Sequence, residues 1–135
     1  MVVMMVVDTS AIIAILCNEP DAETFEKVFE ETPVRLLSAA SFLEASLVIE
    51  ARYGEAGGRE LDLLVTKSGL EIMPVTVEQA EVARVAFRRF GKGRHRAALN
   101  FGDCFSYALA KVTSEPLLFK GRDFVKTDVE RVLKT

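Results

Sequence analysis

The chain has 135 residues, half of them apolar, with 17 Lys and Arg against 20 Asp and Glu for a formal net charge of −3. That length suits one domain, and that apolar share buries a core without metal or disulfide staples. The slight negative balance excludes general nucleic-acid affinity through net charge, and Cys17 and Cys104 sit in no C-x-x-C or Cys/His cluster that would build a structural zinc site.

Both cysteines read as buried, reduced thiols of a cytoplasmic protein. MVVMMVV, residues 1–7, is apolar but short, lacks a cationic segment and a small-residue cleavage site, and reads as neither a signal peptide nor a membrane span. Its β-branched and Met side chains over 2–7 predict a strand covered on both faces. Residues 9–16 predict a helix, and 21–31 a second with Phe25, Val28 and Phe29 on one side. A short strand follows at 34–37. Residues 41–53 predict a helix stopped by GEAGG, and 60–68 another stopped by Gly69. Residues 72–75, with Pro74 among them, predict an edge strand. Helices over 77–90 and 102–113 come next, then a strand over 116–119 and a last edge strand in DVERVL. Strands alternating with helices make this an α/β chain with a mostly parallel sheet of four to five short strands. No repeat or linker divides it, so residues 1–135 form one domain. Ligands of such sheets bind beyond the carboxyl ends of the strands.

Four acids fall where that rule points. Asp8 follows the first strand; as an alternative it caps the next helix, with Thr9 and Ser10 as competitors for that role. Glu44 opens the helix after the second strand, and Ser41 and Glu44 also spell an S-x-x-E capping box. Asp103 heads the apolar segment NFGDCFSYALAK, where Asn100 competes with it for the cap; Asp103, Ser106 and Ala110 share one helix face. Asp123 follows the last apolar strand and reads equally as a turn acid paired with Lys120 or Arg122. Each is ambiguous alone. Together they bring carboxylates to one sheet edge, where they repel unless a cation joins them. Oxygen ligands without nearby His or Cys suit Mg²⁺ or Mn²⁺, ions that activate water for attack on phosphorus. Ser10 is a supporting residue for a water or phosphate oxygen, or a helix cap.

Residues 84–96 hold six of the 17 cations, Arg84, Arg88, Arg89, Lys92, Arg94 and Arg96, with the only His and no acid. Such a run reads either as a solvated face or as phosphate contact with a polyanion; its single sign and its lead into Asp103 favour the latter. His95 as a general base is the weaker role for that residue.

DTSA after an apolar strand, SFLEASLVIEARYG, GKGRHRAALNFGDCFSYALAK and EPLLFKGRDFVKTD resemble the PIN-domain ribonucleases over nearly the whole chain, most of all the VapC-type toxins of bacterial toxin–antitoxin pairs. The resemblance implies a three-layer α/β/α PIN-like domain over 1–135 and Mg²⁺-dependent cleavage of RNA. It implies a VapB-type antitoxin that covers the site, a homodimer, and a larger hetero-oligomer with the antitoxin. Carried over by motif, Asp8, Glu44 and Asp103 are the first three acids, with Asp8 and Asp103 holding the principal metal ion. The fourth is less regular: relatives often carry an acid where this chain has Arg122, leaving Asp123, or Asp128, for that role. Two other readings compete. A catalytically silent PIN-fold module that binds RNA or protein would have lost one of the first three acids. A haloacid-dehalogenase-type phosphohydrolase expects a second Asp two residues after Asp8, where this chain has Ser10.

Overall fold

A computed structural model describes residues 2–133. Strand β1 is Met4–Val7, followed by α1 (Thr9–Leu16), α2 (Ala22–Glu31), β2 (Val34–Ser38), α3 (Ala39–Ser68), β3 (Glu71–Met73), α4 (Val77–Phe90), α5 (Phe101–Thr113) and β4 (Leu117–Leu118). The strands form one parallel sheet in the order β3-β2-β1-β4. The chain therefore winds one way from β1 to β3, then crosses back to place β4 on the other side of β1. The crevice at such a reversal, beyond the carboxyl ends of β1 and β4, is where this architecture binds ligands.

Alternation along each strand builds the two faces. Val6, Leu36 and Leu117 pack with α4 and α5, while Met5, Val7, Leu37 and Leu118 pack with α1, α2 and α3. Three layers result because parallel strands need crossover helices, and those helices must bury an apolar stripe against the sheet. Among the described residues, no helix is long and apolar enough to cross a membrane.

Several boundaries differ from expectation, each for a local reason. GEAGG does not end the third helix: α3 runs on to Ser68 with one break at Gly54, whose φ of 67° and ψ of −159° lie where only glycine is comfortable. The glycines thus kink a helix instead of closing it, and the true stop is Gly69 in the left-handed conformation. Strand β3 ends before Pro74, which has no N–H to give the ladder, and lies at the sheet edge. DVERVL contributes a single bridge, Arg131 to Leu117, instead of a strand. Cys104 is buried, but Cys17 is only partly so, its sulfur accepting a hydrogen bond from Arg52 at 3.3 Å.

A Cβ at Gly54 would meet nothing within 4 Å, so any cost of Gly54→Ala comes from backbone conformation alone. Urea unfolding of that variant is expected to show a loss of about 1–3 kcal/mol; an unchanged midpoint would mean that the kink relaxes without cost.

Candidate metal-dependent active site

Asp8 ends β1 and is buried, 4% exposed, although it is an acid. Burial of a carboxylate is tolerable only when its oxygens are satisfied. Here one oxygen accepts from the Ser10 backbone N–H at 3.0 Å and the Ser10 hydroxyl at 2.7 Å, while the other accepts from the Ser106 hydroxyl at 2.5 Å. Capping and site placement are therefore not alternatives: Asp8 is the N-cap of α1 and also faces the crevice side of α5. Ser10 does more than cap, because its Oγ also accepts from the Lys120 N–H at 2.9 Å and ties the site to the end of β4.

Asp103 shows the same double use. Asn100 is the N-cap of α5, its Oδ1 accepting from the Asp103 N–H at 2.9 Å, and Asp103 reciprocates by accepting from the Asn100 N–H at 3.0 Å. The capping box foreseen at Ser41 and Glu44 belongs here instead. At the head of α3 the cap is Ser38, and Ser41 lies inside the helix, buried, 3.2 Å from the Ser106 hydroxyl. Glu44 is free of that duty. Its carboxylate lies over Gly102, in space that a Cβ there would occupy, with the carboxyl carbon 2.7 Å from that position. Glycine at 102 is thus what admits Glu44 to the head of α5.

Burial pushes the Asp103 carboxyl up from 3.8 to about 7, and the charges of Asp8, Asp123 and Glu44 push it the same way against the pull of the Asn100 N–H. Three other acids, each from a separate segment, therefore bear on Asp103. Among the described residues none of the four takes part in an ion pair. The expected pairing of Asp123 with Lys120 does not form, since Lys120 binds Glu19 at 2.6 Å and Asp21 at 3.3 Å. Asp123 and Arg122 are both exposed in the turn after β4. Asp128 is drawn elsewhere: it accepts from Tyr107, and Lys111 and Arg89 lie 3.3 and 3.8 Å away.

The donor set is all oxygen and carries excess negative charge, which fits a hard divalent cation. Among the described residues no three carboxylate, thiol or imidazole groups are gathered closely enough to hold a metal ion together, so a cation here would rest on one or two carboxylates and water, as Mg²⁺ commonly does.

The basic segment is divided by the fold. Arg84, Arg88 and Arg94 line a groove between α4 and α5, whereas Arg89 turns to the other side, stacks on Phe90 at 4.7 Å and faces Asp128. Lys92 and Arg96 are exposed on a loop closed by the Gly91–Leu99 bridge. His95 is structural: its Nδ1 accepts from the Ala97 N–H at 2.9 Å and its ring stands edge-on to Phe90. Sequence reasoning put Ser106 on the face of Asp103 without a role, and overlooked Gly102. An apolar-helix serine three residues after an acid was the signal for the first; nothing local marked the second.

In the folded, metal-free chain Asp103 keeps its proton up to about pH 7, but in the unfolded chain only to about 3.8. The folded state binds more protons between those values, so stability contributed here falls as pH rises through that window. Thermal melts in chelator should show wild type losing Tm relative to Asp103→Asn from about pH 4 to about pH 7; parallel curves would place the titrating group elsewhere.

A family model described as PIN domain matches residues 5–130. The chain is 59% identical over 128 residues to a protein named Ribonuclease VapC from Mycolicibacterium smegmatis, covering 95% of this chain and 99% of that one. In fold it is similar to Mycobacterium tuberculosis VapC20, titled a sarcin-ricin loop cleaving toxin, with a TM-score of 0.78, 18% identity and coverage of 95% and 98%. It is also similar to a chain of the DNA-bound VapBC from Salmonella typhimurium, with a TM-score of 0.73, 18% identity and coverage of 97% and 96%. Its parallel sheet between two helical layers, its match to the family model over residues 5–130 and its 59% identity to a VapC ribonuclease together make this chain a member of the PIN-domain family, within the VapC ribonucleases.

Proposed function

We propose that this protein is a Mg²⁺-dependent endoribonuclease, the toxin of a toxin–antitoxin pair. The observation that carries the reading is Asp103: an acid pushed up to about 7 by burial and, beyond that, by the charges of three other acids, and in no ion pair among the described residues. In this reading Asp8 and Asp103 hold the ion, Glu44 completes its surroundings directly or through water, and Asp123 supplies a fourth charge from the turn after β4. When bound, Mg²⁺ (or Mn²⁺) provides the Lewis acidity that polarises a phosphoryl oxygen and activates water.

The chain's own residues do the rest. Ser10 and Ser106 fix the Asp8 carboxylate in one orientation, so its geometry is set before substrate arrives. The Asn100 capping box does the same for Asp103. Arg84, Arg88 and Arg94 hold the RNA backbone near the acids, with Lys92 and Arg96 contributing charge from the loop. In-line hydrolysis in such a site leaves a 5′ phosphate on one fragment and a 3′ hydroxyl on the other.

The VapC relationship supports a VapB-type antitoxin as partner, and the fold neighbour titled VapBC is such an assembly. Leu43 and Leu47, neighbours on α3 at 58% and 64% exposure, offer apolar surface for the antitoxin or for a second copy in a homodimer. The free thiols fit a reducing cytoplasm. The silent-module reading is disfavoured by the retention of Asp8, Glu44 and Asp103. The dehalogenase-type reading is disfavoured by Ser10, which occupies the position of the needed second Asp and binds Asp8 instead.

Antitoxin-free protein and total cellular RNA provide the test. Mutation of residues that merely support a metal ligand costs about 10–100-fold, so Asp8→Asn and Asp103→Asn are expected to lower Mg²⁺-dependent cleavage by about a hundredfold or more, and chelator to abolish it. Full cleavage by either folded variant would remove it from the metal site.

A further inference from the structure

We propose that the groove between α4 and α5 is a subsite for unstacked bases of single-stranded RNA flanking the cleaved phosphate, with Phe101 and Phe105 as its stacking platform. The proposal rests on the endoribonuclease reading and assigns a base-binding surface to the same site.

The groove encloses about 580 Å³. Its walls carry Phe87, Phe101 and Phe105 together with Arg84, Arg88 and Arg94, and no acid lines it. Phe101 is 79% exposed, the most exposed large apolar side chain among the described residues. Among the described residues its one aromatic partner is Phe105, the two rings T-shaped with centroids 4.9 Å apart, and most of the Phe101 ring is open to solvent. It stands in the first turn of α5, next to Gly102, against which the Glu44 carboxylate lies, and two residues before Asp103. Arg94 is 5.8 Å from the ring centre of Phe87, an arginine held over an aromatic face.

Flat apolar rings among cations of one sign are what a strand of nucleotides requires, because bases stack on aromatic faces while phosphates track the positive charge. Unstacked bases are also what protein reads in RNA, since paired A-form helices hide their edges. The opposite side of the same helix pair shows the contrast. There Glu78, Glu81 and Asp128 alternate with Arg89 and Lys111, a mixed surface with no preference for a polyanion. A second copy of this chain is a poorer occupant, since a two-fold contact through the groove would bring six arginines and no acid of its lining into one interface.

The chain has no Trp, so Phe101→Trp installs a single fluorescent reporter at the platform. Titration in chelator keeps binding separate from cleavage. A short oligouridylate is expected to quench the indole saturably, while inorganic polyphosphate at equal phosphate concentration leaves it nearly unchanged. Arg88→Ala in that background is expected to raise the half-saturation concentration severalfold. Equal quenching by both polyanions, or by neither, overturns the stacking platform. Emission that changes with protein concentration alone, without response to oligouridylate, would give the groove to a second copy and likewise overturn it. Phe101→Ala is expected to lower kcat/KM on single-stranded RNA by about tenfold or more, chiefly through KM; an unchanged value overturns the proposal even if the Trp variant fails to fold. Quenching by a wild-type-like site that cleaves no RNA would defeat the endoribonuclease reading alone, whereas cleavage without quenching would defeat only the subsite.

Discussion

A single buried carboxylate organises this molecule. Asp8 stands at the end of a central strand, and its charge is kept in the interior by hydroxyls from two other places, Ser10 at the start of α1 and Ser106 in α5. Ser106 in turn meets Ser41 of α3, so helices from both sides of the sheet converge on one acid. An unpaired buried charge costs several kcal/mol, and three hydrogen bonds offset that cost only if all the donors arrive in register. The strand order, the helix crossings and the identity of three serines are therefore tied to one another through Asp8.

The electrostatics of the crevice follow from that arrangement. Burial of Asp103, with the charges of Asp8, Asp123 and Glu44 acting in the same direction, pushes its carboxyl up to about 7. A fold optimised for stability alone would have paired these acids with lysine or arginine, as it pairs Lys120 with Glu19 and Asp21. That unrelieved repulsion at one edge, next to relieved charge elsewhere, is what the proposed metal ion would offset. Helix caps soften the cost: both Asp8 and Asp103 satisfy helix N-terminal N–H groups while facing the crevice.

The basic segment acquires meaning only when folded. In sequence it is six like charges around one His; in space α4 sends Arg84 and Arg88 to one side and Arg89 to the other. Asp128 shows the same sorting among the acids, captured by Tyr107, Lys111 and Arg89 and so withdrawn from the crevice.

Local chemistry made much of this legible from residues alone. The continuous apolar run before Asp8 specified a buried strand, the 3.6-residue periodicity of α4 gave its bounds from Val77 to Phe90, and Gly69 marked a helix end. Alternating strands and helices specified the parallel sheet, and that sheet named the edge at which to look for acids. What stayed hidden depended on contacts distant in the chain. Whether Ser38 or Ser41 caps α3 turns on the partner that Ser41 finds in Ser106, 65 residues away. Whether Gly54 ends a helix or bends it turns on what the following turns pack against. The approach of Glu44 to α5 needs the missing Cβ of Gly102, which no pattern within either helix announces. Short-range propensity and periodicity are written in neighbouring residues and can be read there, while the assignment of a polar side chain to cap, ion pair or site is a competition among partners that only the tertiary structure brings within reach.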